Sequence, residues 1–111
     1  MDGKKVLEVI GIYRTIFETA DVPKRDFPHD QFINNPENIL AHCHKKLDEI
    51  ERFIAEKRMD KVFRWLGFVQ GCLWATGRYD LESLKNHNRP DSTEFPGQAK
   101  ASSRESTPRT D

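Results

Sequence analysis

The sequence has no excess of charge of either sign. Its 18 Lys and Arg residues are matched by 18 Asp and Glu residues, so the formal net charge is zero at pH 7. Non-specific binding to duplex nucleic acid needs a broad positive surface, because contacts to phosphates supply most of the affinity. We therefore expect no duplex nucleic acid among the partners, although a local patch of charge could still hold one small anion.

Long apolar segments and cysteines are also scarce. No apolar run reaches the roughly 18 residues that a transmembrane helix needs, and residues 1–5 lack the apolar core of an export signal. The two cysteines, Cys43 and Cys72, are too few for a disulfide framework. Each falls on an apolar helix face, which favours a buried neutral thiol. These features predict a cytoplasmic protein without membrane contact.

The spacing of apolar residues predicts an all-α fold. Apolar positions recur every three or four residues over about 4–20, and the helix they indicate ends before Pro23. Residues 21–35 then form a long connection, in which 28–33 have room for one helical turn. The apolar side chains that we expect to anchor this connection to the bundle are Phe27, Phe32 and Ile33.

The second helix has the clearest start signal. Asn35 suits the N-cap and Pro36 suits the first helical position. The following apolar residues recur at three- and four-residue spacing, as in the seam of a helical bundle. These seam residues are Leu40, Cys43, Leu47, Ile50 and Ile54. The opposite face is charged, with pairs at i, i+4 spacing that are typical of a solvated surface.

A tight turn near residues 57–59 reverses the chain, so the second and third helices form a long antiparallel hairpin. Asp60 is placed to cap the third helix, which extends to Thr76, and Gly77 suits the left-handed position after a helix.

Asp80 caps a short fourth helix over about residues 81–87. We expect two side chains of this helix to face inward, namely Leu81 and Leu84. The following sequence is rich in Pro, Ser and Thr and poor in apolar residues, which is typical of disorder. The chain therefore divides into a helical domain, residues 1–88, and a disordered tail, residues 89–111.

The third helix is apolar almost all round, so it must be covered on every side. Gly67 and Gly71 lie four residues apart and would let another backbone approach closely, although each glycine costs about 0.5–1 kcal/mol in a helix. Two interpretations stay open: the first helix and the 21–35 connection cover this helix, or part of its surface is an oligomer interface. The interface residues predicted by the second interpretation are Trp65, Phe68, Gly71 and Trp74, with Arg64 and Arg78 at the rim.

Polar residues near the end of the hairpin are candidates for ligand contact. Gln70 interrupts the apolar third helix and needs hydrogen-bond partners if it is buried, either in a loop backbone or in a ligand. Residues 85–89 are dense in hydrogen-bond donors and could contact a phosphate or a carboxylate.

The motif His42-Cys43-His44 has the composition of a metal site without its spacing. Residues two apart point to nearly opposite sides of a helix, so His42 and His44 cannot share a face. His29 could join one of them, but a zinc site normally has three or four protein ligands. We therefore predict no metal site and expect these histidines to be solvated or hydrogen-bonded.

Asp48 and Glu51 are the closest match to the carboxylate pairs with which small all-helical nucleotide pyrophosphohydrolases hold Mg²⁺. The third helix offers no second pair, because Asp60 is its only acidic residue. Pairing with Lys and Arg is the alternative role for the two carboxylates. The chain also lacks a Gly-rich phosphate loop and a nucleophile elbow, so we predict no catalytic residue and no cofactor.

The stretch Met59 to Trp74 (MDKVFRWLGFVQGCLW), followed by Tyr79 to Lys85 (YDLESLK), resembles one found in small helical proteins of bacteriophages and prophages to which no activity is attached. The resemblance covers about residues 36–90 and implies a phage accessory protein in a bacterial cytoplasm. Arg64-Trp65 followed by Gln70-Gly71 is also loosely similar to helical phage proteins that sequester cyclic dinucleotides.

These patterns predict a small all-α bundle with a long antiparallel hairpin, an N-terminal helix, a short fourth helix and a disordered tail. We expect a non-enzymatic phage or bacterial accessory protein that acts by protein–protein interaction or self-assembly, with a host protein or a second copy as partner. The alternative is a nucleotide-handling protein, either a Mg²⁺-dependent hydrolase or a nucleotide sponge. In that case Asp48 and Glu51 hold the metal, and Gln70, Asn86 and His87 contact a base or phosphate.

Overall fold

A computed structural model describes residues 1–90, and these residues form an all-α fold without strands, as predicted. Its four helices are α1 (Gly3–Thr19), α2 (Pro36–Ala55), α3 (Met59–Ala75) and α4 (Leu81–Asn88). Apart from residues 89 and 90, the predicted tail lies outside the described residues. No helix among residues 1–90 is both long and apolar enough to span a membrane.

Local signals explain most of the helix boundaries. The Asn35 side chain accepts a hydrogen bond from the backbone N–H of Glu37 at 2.7 Å, and Pro36 takes the first helical position, as predicted. Asp80 caps α4 in the predicted way, by accepting from the backbone N–H of Ser83 at 2.8 Å. After α3, Gly77 adopts a left-handed conformation with φ of +77°, which a glycine tolerates without strain.

The predicted cap of α3 is wrong. The helix begins at Met59 and its N-cap position is occupied by Arg58, whose side chain makes no capping hydrogen bond. Asp60 therefore lies inside the first turn, where its carboxylate still interacts favourably with the positive end of the helix dipole. In the turn between α2 and α3, Lys57 adopts a left-handed conformation with φ of +59°.

The core lies along the α2–α3 hairpin, whose helices pack against each other most extensively, while α1 packs on α2 and touches α4. The residues of α1 that contribute most to the core are Val6, Val9, Ile10, Tyr13 and Phe17. The hairpin contributes Leu40, Cys43, Leu47, Ile50, Phe53, Val62, Leu66, Val69 and Leu73. The predicted seam of α2 is confirmed except at its end, where Phe53 is buried and Ile54 is only half-buried.

Three predictions about smaller elements are wrong. Residues 28–33 form a turn rather than a helical turn, with the N–H of Gln31 donating to the carbonyl of Pro28 at 3.2 Å. Phe32 is not an anchor, because 95% of its side chain is exposed, whereas Phe27 and Ile33 are half-buried. Leu81 is 60% exposed and only Leu84 faces inward, because an eight-residue helix packed on α1 buries a single narrow stripe.

Candidate functional site

The outward side of α3 is not covered by the rest of the described chain. We call it the α3 outer face and define it by Phe63, Arg64, Gly67, Phe68, Gly71, Trp74 and Ala75, all of which are exposed. A Cβ atom built on Gly67 or Gly71 would meet no atom within 4 Å. The first interpretation of the sequence, in which α1 and the 21–35 connection cover α3, therefore fails along this face, since α1 packs on α2.

Helical geometry makes the α3 outer face a shallow groove, because small residues follow one another between larger side chains. Gly67, Gly71 and Ala75 lie four residues apart on one side of the helix and form its floor. In helical register, Phe63 and Trp74 lie along one wall and Phe68 along the other. Beside Trp74, a hollow of about 230 Å³ opens between α3 and α4, and the exposed Leu81 contributes to its lining.

A second surface lies on the flank of α3, where the 21–35 connection meets the helix. It is a cavity of about 420 Å³, which we call the His–Trp cavity. The lining side chains that matter below are His29, Phe32, His42, Trp65, Phe68 and Cys72. Trp65 is its aromatic centre, with its ring centroid 5.4 Å from that of His29 and 5.4 Å from that of Phe68.

Behind this cavity lies a buried cation that the sequence interpretation missed. The Lys46 side chain is almost fully buried, and its Nζ donates to Nε2 of His29 at 3.1 Å and to Oε1 of Glu49 at 3.2 Å. The same ammonium lies 4.3 Å from the ring centroid of Trp65, a cation–π contact that is strengthened by the absence of water. These contacts hold the aromatic wall of the cavity in place.

His42 lies beside this cation on α2 and is 5% exposed. Its Nδ1 has no hydrogen-bond partner and lies 3.8 Å from Oδ1 of Asp26. Burial lowers the pKa of His42 from its ordinary value of 6.5, the charge of Lys46 lowers it further, and Asp26 only partly opposes them. The imidazole is therefore neutral at pH 7.

The structure separates the two histidines of the His42-Cys43-His44 motif, as predicted. His44 points to the other side of α2, where its Nδ1 lies 2.8 Å from the carbonyl oxygen of Val22 and its ring packs on Phe17. No group of three metal-ligating side chains occurs among residues 1–90. Cys43 and Cys72 are free thiols; interaction with Cys72 and then burial raise the pKa of Cys43, so it keeps its proton.

The carboxylates of Asp48 and Glu51 are engaged in ion pairs. Nη2 of Arg14 lies 3.1 Å from Oδ1 of Asp48 and 3.3 Å from Oε1 of Glu51. Nζ of Lys24 lies 3.1 Å from Oδ2 of Asp48. Partial burial acts to raise the pKa of Asp48, but the hydrogen bonds and charges of Lys24 and Arg14 outweigh it and lower the pKa. The two carboxylates therefore take the alternative role described above, pairing with basic side chains.

The other candidate ligand contacts are occupied by internal hydrogen bonds. Gln70 uses its amide nitrogen to donate to the Tyr13 hydroxyl at 2.9 Å and to Asn88 at 2.8 Å, so its partners are side chains rather than a loop backbone. His87 is fully buried, with its Nδ1 2.8 Å from the Tyr13 hydroxyl. Asn86 accepts a hydrogen bond from Arg89 at 2.6 Å. The bonds of Gln70 and His87 hold α4 in place, whereas the bond of Asn86 is local to the end of α4.

The residues predicted to form one interface occupy three locations. Arg64, Phe68, Gly71 and Trp74 share the α3 outer face, whereas Trp65 is half-buried in the His–Trp cavity. Arg78 lies away from both, where it lines a hollow of about 320 Å³ together with residues of the α1–α2 connection. The apolar pattern of α3 left a covered helix and an exposed interface open as alternatives, and it did not predict that the connection packing on Trp65 would divide this surface.

Comparison with known proteins identifies no relative. No family model, no curated protein and no solved structure matches the chain. Function is therefore inferred below from the two surfaces of α3.

Proposed function

We propose that this protein is a small non-enzymatic accessory protein that acts by association through the α3 outer face, with a second copy of the chain as its partner. The observation that carries the proposal is the mainly apolar groove over Gly67 and Gly71, which no other part of residues 1–90 covers. Trp74, which is 54% exposed, belongs to the residue types that are enriched at protein interfaces.

Within residues 1–90, no packing contact explains the two glycines of α3. Each glycine in a helix interior costs about 0.5–1 kcal/mol relative to alanine, and no atom of the described chain lies close enough to need the missing Cβ. A second helix crossing the groove would use the space, because the absence of side chains allows two backbones to approach closely.

The sequence of the α3 outer face is complementary to itself when two copies are antiparallel. A two-fold axis level with residue 69 places Gly67 opposite Gly71 of a second copy. The same axis places the large Phe63 opposite the small Ala75, and the Arg64 guanidinium opposite the Trp74 ring. No like charges oppose each other in this arrangement.

The hollow beside Trp74 extends this complementarity. Phe63 of a second copy would lie level with the end of α3, where Trp74 and Leu81 line the hollow of about 230 Å³. Two side chains that face solvent in one chain, Phe63 at 43% and Leu81 at 60% exposure, would both lose water contact. Burial of this apolar surface is the driving force for association.

We further propose that the protein works in a bacterial cytoplasm and is of phage or prophage origin. The support is the resemblance of residues 36–90 to small phage proteins. The free thiols Cys43 and Cys72 agree with a reducing compartment. A host protein remains the second candidate partner for the same face.

The mass of the full chain in solution, measured by size-exclusion chromatography with light scattering, tests the self-association. We expect a dimer with twice the 12.9-kDa chain mass. Gly71→Leu fills the floor of the groove and is expected to give a folded monomer, because a Leu side chain keeps the two helices apart. Gly11→Leu is the matched control, since Gly11 is a helical glycine of α1 with equally open space at its Cβ position.

A wild-type chain that is monomeric at every accessible concentration would overturn self-association. A dimer that persists equally in Gly71→Leu and Gly11→Leu would place the interface elsewhere. Circular dichroism of each variant confirms that the helices are intact before the masses are compared.

A further inference from the structure

The His–Trp cavity lies on the flank of α3 and shares one residue, Phe68, with the α3 outer face. Its volume of about 420 Å³ falls in the range of pockets that bind small molecules. Its wall is mainly apolar, with aromatic rings from Phe32, Trp65 and Phe68. The polar side chains in it are His29, Gln31 and His42. A mainly apolar pocket with a few fixed polar groups is the usual composition of a ligand site.

The contact with Lys46 fixes the tautomer of His29. An ammonium group can only donate hydrogen bonds, so Nε2 of His29, 3.1 Å from Nζ of Lys46, must be the acceptor. The ring proton of His29 then lies on Nδ1. Because the His29 ring is exposed and lines the cavity, it presents an N–H donor there.

The surroundings of His42 favour a hydrogen-bond acceptor on the side of its ring away from Asp26. Its Nδ1 lies 3.8 Å from a carboxylate oxygen of Asp26, which favours the proton on Nδ1 because two lone pairs would repel each other. The neutral ring then carries its lone pair on Nε2. His42 therefore gives this side of the cavity a hydrogen-bond acceptor, at a ring centroid distance of 6.4 Å from His29.

Flat aromatic surfaces frame this donor and acceptor. Trp65 and Phe68 meet edge to face in the wall, and the Phe32 side chain lines the same cavity while 95% of it is in contact with solvent. An exposed phenyl ring beside an apolar cavity is placed to stack on a planar ligand. Stacking between aromatic side chains and nucleic acid bases tolerates any base, because every base has a π-face.

We propose that the His–Trp cavity binds an uncharged planar heterocycle that presents a hydrogen-bond acceptor next to a donor on one edge, as the nucleobases do. The acceptor of the ligand meets the Nδ1–H of His29, and the donor of the ligand meets Nε2 of His42. The ring of the ligand lies against Trp65 and Phe68. This site is separate from Gln70, Asn86 and His87, whose hydrogen bonds are internal.

Tryptophan fluorescence tests the proposal, because Trp65 lies in the cavity wall. The Trp74→Phe chain keeps an aromatic ring on the outer face and leaves Trp65 as the only tryptophan. Adenosine, guanosine, cytidine and uridine are titrated separately, and indole is the comparison ligand because it is planar but lacks the paired acceptor and donor. We expect saturable quenching by at least one nucleoside, with an affinity at least about tenfold above that of indole, as one net hydrogen bond supplies.

Two variants in the same background separate hydrogen bonding from stacking. His29→Phe and His42→Phe keep an aromatic ring and remove the nitrogens, so each should weaken nucleoside binding by about tenfold and leave indole binding unchanged. His44→Phe removes a buried imidazole from the far side of α2 and is the control, for which no change is expected. His29 is exposed, so its variant tests the proposal even if His42→Phe unfolds.

The absence of saturable quenching by all four nucleosides would overturn the proposal. Equal affinity for indole and the nucleosides, or unchanged nucleoside binding by both His29→Phe and His42→Phe, would also overturn it, because the cavity would then bind any flat apolar ring.

Discussion

The hydroxyl of Tyr13 lies 2.8 Å from Nδ1 of His87, and both side chains are fully buried. The amide nitrogen of Gln70 donates to the same hydroxyl at 2.9 Å. The hydroxyl therefore accepts from Gln70 and shares a second hydrogen bond with Nδ1 of His87. This chain of hydrogen bonds joins α1, α3 and α4, and it explains how an eight-residue helix keeps a fixed position.

Removal of the Tyr13 hydroxyl should therefore destabilise the protein. Tyr13→Phe keeps the ring but takes a hydrogen-bond partner from buried His87 and from Gln70, which costs about 1–3 kcal/mol in the free energy of unfolding. Urea denaturation followed by circular dichroism measures this loss. A double-mutant cycle with Gln70→Met should give a coupling of about 0.5 kcal/mol or more, and a cycle that is additive would refute the hydrogen-bond chain.

Two glutamates of α2 should differ sharply in importance. Glu49 is 24% exposed at the side chain and balances the buried ammonium of Lys46, whereas Glu51 is 56% exposed and pairs with Arg14 at the surface. Glu49→Gln leaves a buried charge with a weaker partner, so we expect a loss of about 1–3 kcal/mol. Glu51→Gln should change stability by no more than about 0.5 kcal/mol. Equal effects in urea denaturation would contradict the buried position of Lys46.

Stability should fall in mildly acidic solution because of His42. The charged and titratable groups around its ring are Lys46, Asp26, His29 and Glu49, and the net result is a pKa below 6.5 in the folded state. The unfolded chain, with an ordinary pKa of 6.5, therefore binds a proton more readily. Above about pH 6.5, His42 is neutral in both states and does not reduce the free energy of unfolding. As the pH falls from that value towards the pKa of folded His42, the unfolded state gains protons first and the free energy of unfolding decreases.

Urea denaturation at a series of pH values from about 7.5 down to 5 measures this loss. His42→Phe removes the titrating group and keeps the ring contacts with Phe27 and Phe68. The slope of stability against pH should therefore be smaller in His42→Phe than in the wild type. An unchanged slope would assign the pH dependence to other groups.

The helices were predictable from the sequence because their signals are local. Asn35-Pro36 and Asp80 begin helices through bonds to the next few residues, and Gly77 ends one through its own φ angle. Leu81 could not be predicted in this way. Whether an apolar residue at a helix start is covered depends on the neighbouring helix, and the residues that α4 buries are Ser83, Leu84 and His87.

The candidate site was only partly predictable. His42, Lys46, Glu49 and Phe53 recur every three or four residues beside the apolar seam of α2, and this spacing is a signal that Lys46 lies at the edge of the buried face. Its neighbour Lys45 has the same chemistry, so composition cannot distinguish them. The burial of Lys46 depends on residues 21–35 folding back to place His29 over it, and no local pattern encodes that contact.

A pair of glycine substitutions tests whether the α3 outer face is open. Gly67→Ala adds a methyl group to a helix where no atom lies within 4 Å, so the monomer should gain about 0.5–1 kcal/mol from the higher helix propensity of alanine. Gly77→Ala also meets open space, but its φ of +77° suits glycine and should cost alanine about 1–2 kcal/mol. Urea denaturation, at a protein concentration where light scattering reports a monomer, measures both.

The same Gly67→Ala substitution should act in the opposite direction on association. The added methyl group stands in the floor of the groove, where it separates two crossing helices, so the dimer should dissociate at a higher protein concentration than in the wild type. A more stable monomer that dimerises less readily is expected only if the glycine is free in one chain and covered by a second copy. If Gly67→Ala destabilises the monomer, part of the chain already covers this glycine, and the outer face is not available to a partner.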